Sequence, residues 1–203
     1  DFYESLILVD KNLSGLGDME ILIKGKEGAL KEPDILRKMD SLSSRIEKLP
    51  RVRKVISLAD YVKRINKALN EDDPEHYKVP ESKTLLAHEL FLFSLSDDGR
   101  EELERMATGD FSEGRISVKT ESMPASESRE LSTSLATMAN EVFQPPEAKA
   151  TLTGLLYLWD LMNKYILESQ IKGFSLAFLL VIGVLFIAFW SAKYGALSVI
   201  TNL

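Results

Sequence analysis

The densest group of metal-binding and acid–base side chains lies between residues 70 and 82, in the segment NEDDPEHYKVPES. Asp72, Asp73, Glu75 and His76 are residue types that bind divalent cations. Their spacing matches neither a helical repeat nor a cation-binding loop, so the pattern does not make the four side chains converge on one ion. We expect a solvated turn here and no metal site, with a divalent-ion site as the alternative.

Catalytic templates are missing from the sequence. It has no Gly-rich phosphate loop, no GxSxG segment and no HExxH segment, and its only histidines are His76 and His88. His88 precedes Glu89 on a predicted helix of mixed polarity, where we predict a partly buried structural histidine. We expect no catalytic residues, no cofactor and no enzymatic activity, and the rival class is a membrane-anchored enzyme.

Composition excludes further classes of function. The chain has 31 Asp and Glu against 25 Lys and Arg, a net charge of -6, and no basic patch with interleaved aromatic residues. Because nucleic acids are bound through clustered cations, we expect no nucleic-acid partner. The sequence contains no cysteine, which excludes disulfides and thiolate metal sites.

A first strand–helix–strand unit is predicted before the acidic segment. MEILIKG (19–25) alternates apolar and polar residues, as a half-buried strand does. Residues 33–49 carry apolar side chains at helical spacing between two prolines, and VRKVIS (52–57) is the second strand.

A second unit of the same kind is predicted after it. GRISVKTE (114–121) alternates, a helix follows at 125–143, and KATLTG (149–154) returns as a strand. Two such units that pair their strands make an α+β, split βαβ (ferredoxin-like) fold with both helices on one face of the sheet. We therefore predict that Leu42 and Leu135 are buried between the helices and the sheet.

A helical insert, residues 58–112, separates the two units. Three helices are predicted, in LADYVKRINKAL, SKTLLAHELFLFSL and DDGREELERMA. LLAHELFLF (85–93) is the most apolar stretch outside the predicted span, and its apolar side chains cannot all share one helical stripe. We expect the other two helices to cover these side chains, and the alternative is that part of this surface lines a substrate path or meets a second domain. The candidates for a substrate path or an interface are Leu90, Phe91 and Phe93.

A membrane span is predicted near the end of the chain. IKGFSLAFLLVIGVLFIAFWSAK (171–193) has no ionisable residue between its two lysines. Because a bilayer core about 30 Å thick is crossed by roughly 20 apolar helical residues, we predict a transmembrane helix over 166–192. No proline follows Leu155, so we expect one helix to run from there into the span.

The sequence LPRVRKVISLADYVKRINKALNEDDPEHYKVPESKTLLAHELFLFSL is followed by GRISVKTE, by LTG and by a span that ends in SAKYGALSVITNL. This order resembles the large extracytoplasmic loop of resistance-nodulation-division (RND) superfamily exporters. It is most similar to the hydrophobe/amphiphile exporters of the mycobacterial membrane-protein-large (MMPL) type. The resemblance covers nearly the whole chain and rests on the order of segments, because the individual motifs are degenerate.

The resemblance implies a proton-driven membrane exporter of lipid-like or amphiphilic substrates in the cell (inner or plasma) membrane. Residues 17–165 would be an extracytoplasmic porter domain, after a lead-in at 1–16 and before the span at 166–192 and a cytoplasmic link at 193–203. Its partners would be the lipid bilayer, the remaining spans and second porter domain of the same transporter, and an amphiphilic or lipid substrate. Residues 173–192 contain no carboxylate, so the proton-relay residues would lie outside this chain. The alternative is a single-pass membrane-anchored sensor or binding module.

Overall fold

The computed structural model describes residues 15–189 and has an α+β architecture. Two compact units are divided between Leu158 and Trp159. The first contains a four-stranded sheet with its packed helices, and the second contains most of a long apolar helix. The elements in chain order are β1 (Gly17–Gly25), α1 (Pro33–Ile46), β2 (Val52–Ser57), α2 (Leu58–Leu69), α3 (Lys83–Ser94), α4 (Asp97–Met106), β3 (Glu113–Thr120), α5 (Ala125–Val142), β4 (Ala148–Thr153) and α6 (Leu155–Phe189).

The sheet has the strand order β2-β3-β1-β4, and each neighbouring pair is antiparallel. In β1, one of the two inner strands, Ile21 lies opposite Ile116 of β3 and Leu152 of β4. All three side chains are buried. They lie on the same face of the sheet, because residues directly opposite each other on neighbouring strands point to the same side. The four strands predicted from the sequence are present, and their ends lie within two residues of the predicted positions.

The helices α1 and α5 pack on the sheet and touch each other. Leu42 and Leu135 are fully buried, which confirms the prediction made for them. The helix predicted to reach residue 49 ends at Ile46, and the chain then makes a turn in which the Leu49 N–H donates to the Ile46 carbonyl at 2.9 Å. Pro50 explains this shortening, because the residue before a proline avoids helical backbone angles.

The insert forms the three predicted helices α2, α3 and α4. Helix α2 begins directly after β2 with no intervening loop. Ser57 caps it, since its backbone N–H donates to the Asp60 carboxylate at 2.9 Å in a capping box. The capping box therefore marks the start of the insert at the end of β2.

Helix α6 runs unbroken from Leu155 to Phe189, as the sequence predicts. Its 35 residues correspond to roughly 50 Å at 1.5 Å per residue. The segment Leu155–Val184 is long and apolar enough to cross a membrane, and none of its most apolar window is buried within the protein. The predicted end of the span at 192, the first fourteen residues of the lead-in and the link at 193–203 lie outside the described residues.

Candidate functional site

Helix α3 is the central element of the insert. It packs against α2, against α4 and against a short 3-10 turn at Ala29–Lys31. Its buried side chains are Leu86, Glu89 and Leu90, which are three and four residues apart and so lie on one side of the helix. This side joins the helices of the insert to the core of the first unit.

The remaining apolar side chains of α3 reach the surface. Phe91 is 60% exposed, and Leu85 and Leu92 are about half exposed. The run LLAHELFLF is therefore partly covered and partly open, because a single helical face cannot hold all its apolar residues. Among the three predicted path residues, Leu90 belongs to the core with 2% exposure, while Phe91 and Phe93 are accessible at the surface.

A shallow apolar groove of about 350 Å³ lies between α2 and α3. Phe93 contributes to it and also packs against the hydrophobic core. Arg64 adds one exposed cation to an otherwise apolar lining. The groove is lined by Arg64, Ile65, Ala68, Leu69, Leu92 and Phe93. An apolar cleft with a single charge suits a ligand that has a hydrocarbon part and a polar part.

Glu89 is the unusual side chain of α3. It is only 1% exposed, and neither carboxylate oxygen has a hydrogen-bond partner among residues 15–189. Removal from water disfavours the charged form and raises the pKa of Glu89 from 4.5 to about 7. The carboxyl group therefore changes its charge close to neutral pH.

No family model matches the chain, and no curated protein matches it. The resemblance to RND exporters rests on the order of segments in the sequence. The groove, Glu89 and the long apolar helix are the features from which a function can be inferred.

The sequence patterns gave no expectation for Glu89 and a wrong one for His88. His88 is exposed, not partly buried, because neighbouring side chains on a helix point about 100° apart and the buried position is taken by Glu89. A signal for Glu89 was present in the sequence. It is the one carboxylate in LLAHELFLF and lies three residues after Leu86 and four before Phe93.

The acidic segment forms a turn at the surface. Pro74–His76 is a 3-10 helix, capped by Asp73, whose carboxylate accepts the Glu75 N–H at 2.9 Å. This hydrogen bond, followed by the contact with His76 at 3.1 Å, lowers the pKa of Asp73. Between residues 15 and 189, Asp, Glu and His side chains form no group of three that could hold a metal ion. Of the predicted path residues, Phe93 lines the groove and Phe91 lies on the exposed surface of α3, and both belong to a different element from this turn.

Proposed function

We propose that the chain is a porter domain, together with the span that follows it, of a proton-driven RND-type exporter similar to the MMPL exporters. The observation that carries the proposal is a four-stranded antiparallel sheet with packed helices and a helical insert, followed by one long apolar helix. In this proposal the large domain is extracytoplasmic and the protein resides in the cell membrane. The proton-relay residues belong to other spans.

The strand directions support a split βαβ, ferredoxin-like fold. Strands β1 and β2 are both antiparallel to β3, so they run parallel to each other and are joined by α1. Strands β3 and β4 are both antiparallel to β1, so they also run parallel and are joined by α5. Interleaving two such units gives the observed order β2-β3-β1-β4.

The groove between α2 and α3 is the candidate contact for the substrate. Its volume of about 350 Å³ lies within the range of small-molecule sites, and its walls are mainly apolar. A hydrocarbon chain can lie against Leu69, Leu92 and Phe93, with a polar or anionic head group near Arg64. Phe91 extends the apolar surface beyond the groove.

The coding sequence on both sides of residues 1–203 tests the proposal directly. An RND-type half requires one span shortly before Asp1 and five spans after Leu203. A stop codon soon after Leu203 would instead favour a single-pass membrane-anchored sensor or binding module. The groove is compatible with that alternative, because a binding module also needs an open ligand site.

Substitutions of Phe93 in the groove and of Phe91 on the exposed surface of α3 test the proposed substrate path. Phe91→Ala and Phe93→Ala should reduce export of an amphiphilic substrate, because each removes apolar contact area at the proposed path. Thermal stability is measured in parallel, since a buried Phe→Ala change costs about 3 to 5 kcal/mol and an exposed one much less. Leu95→Ala is the matched control, because Leu95 is apolar and 65% exposed but does not line the groove. Unchanged export in both Phe variants, or an equal loss in the Leu95 variant, would contradict the role of the groove.

A further inference from the structure

The buried carboxyl group of Glu89 has no part in the proposed substrate contact. Both of its oxygens are buried and lack hydrogen-bond partners within the described part of the chain. Buried polar atoms normally have partners, and an ionised carboxylate without them carries a large desolvation cost. The neutral acid carries much less of this cost, so the packing around Glu89 suits the protonated form.

Partly buried ionisable side chains of α2 and α4 are already paired with other residues. The Tyr61 hydroxyl of α2 donates to the Glu102 carboxylate of α4 at 2.6 Å. The Lys63 ammonium contacts Asp40 at 2.5 Å and Asp60 at 3.1 Å. These contacts leave Glu89 without a cationic partner, in agreement with burial as the cause of its raised pKa.

The other ionisable groups on these elements are exposed or engaged elsewhere. The Lys31 ammonium of the 3-10 turn lies 4.5 Å from the centre of the Phe111 ring. Lys67 faces Asp72 at 3.9 Å, and Lys83 forms an ion pair with Glu32. The remaining ionisable residues of α2, α3 and α4 are exposed, namely Arg64, His88, Asp97, Asp98, Arg100, Glu101, Glu104 and Arg105.

Glu89 lies on the side of α3 that contributes to the groove. Leu92 and Phe93, which line the groove, follow it by three and four residues and so occupy the next turn on that side. A charge that appears on Glu89 can regain water only if α3 moves away from its neighbours. Such a movement would also change the distance between the two walls of the groove.

We propose that Glu89 is a proton-operated latch of the insert, which holds α3 against α2 and α4 when protonated and releases it when the proton leaves. In the released state the carboxylate is hydrated and the groove at Leu92 and Phe93 is wider. This device regulates access to the groove, and it does not depend on the transport function proposed above.

Amide hydrogen exchange of the full chain in detergent micelles, read by mass spectrometry between pH 5 and 8, tests the latch. Exchange rates are first corrected for the intrinsic effect of pH. The opening equilibrium of α3 should then increase about tenfold per pH unit from about pH 5 to near pH 7 and level off above it, because the open state binds fewer protons. Strands β1 and β3 of the same molecule report global unfolding, so α3 should open with a smaller free energy than they do at every pH in this range.

Substitutions of Glu89 and His88 test whether Glu89 causes the pH dependence of α3 opening. Glu89→Gln removes the titration and should abolish the pH dependence of α3 opening, and Glu89→Leu is a second uncharged variant if the glutamine variant does not fold. His88→Gln should retain the dependence, because the His88 side chain is exposed and does not have to leave a buried position when α3 opens. The latch is refuted if α3 opens with the same free energy as the strands, or if its opening does not change with pH. It is equally refuted if the dependence survives without Glu89 or disappears with His88.

Discussion

Glu89 links the stability of the folded unit to pH, because its carboxyl group remains neutral in the folded protein over a range in which the unfolded chain is ionised. The relevant pKa values are about 7 in the folded state and 4.5 ordinarily. Between these values the folded state binds more protons than the unfolded state, so the free energy of unfolding falls as pH rises. One pKa unit corresponds to about 1.4 kcal/mol, so the total loss is about 3 kcal/mol.

This linkage predicts the behaviour of Glu89→Leu, which replaces the carboxyl group by an apolar side chain of similar size. Below about pH 4.5 the titration contributes no difference between variant and wild type. The variant should then gain about 3 kcal/mol relative to wild type as pH rises through 7. Urea unfolding followed by far-UV circular dichroism at pH 5 and pH 8 measures the gain. A stability difference that is the same at both pH values would contradict the assignment.

At the level of the secondary-structure elements, the backbone angle of Gly154 allows β4 to lead directly into α6. Its φ angle of +101° lies in a region that side-chain-bearing residues rarely adopt. An added Cβ atom would lie 2.7 Å from the backbone nitrogen of Glu20 and 2.8 Å from the Cα of Met19. The junction therefore requires glycine both for its angle and for its contact with β1.

Gly154→Ala should lower the free energy of unfolding by at least about 1 kcal/mol, because strain and a backbone clash act together. Gly109→Ala is the matched control, since no atom lies within 4 Å of its added Cβ and its φ angle is ordinary. Thermal or urea unfolding of the two variants gives the comparison. Equal stabilities of both variants would show that the β4–α6 junction adapts to a side chain.

The regular elements could be predicted because their sequence patterns match their environments. Strand β1 alternates between a buried and a polar face, and α1 places its apolar residues on one stripe, so the sequence identifies which side is buried. Helix α3 lacks such contrast, since it is apolar on nearly every side. The packing of α2 and α4 decides which of its residues are buried, and this information lies in distant segments. For this reason the helix could be predicted, whereas the exposure of His88 and the burial of Glu89 could not.

At the scale of the whole molecule, the two units differ in where their apolar residues lie. The first unit buries them in a continuous core that joins the sheet, α1, α5 and the insert. Along α6, in contrast, large apolar side chains such as Phe174, Leu179 and Ile187 are exposed over successive turns. A continuous apolar surface of this kind is unfavourable in water. It supports the proposal that this part of the chain lies in a bilayer.

The proposed orientation places the sheet domain outside the cytoplasm and the C-terminal end of the chain inside, and cysteine accessibility tests it. Residues 1–203 contain no cysteine, so each introduced thiol is the only one within this part of the protein. Ser134→Cys, on the exposed side of α5, should react with a membrane-impermeant thiol reagent in intact cells. Asn202→Cys, beyond the described residues, should react only after the membrane is permeabilised, which also shows that its thiol is reactive. The opposite pattern would reverse the orientation, and labelling of both positions in intact cells would show that no span separates them.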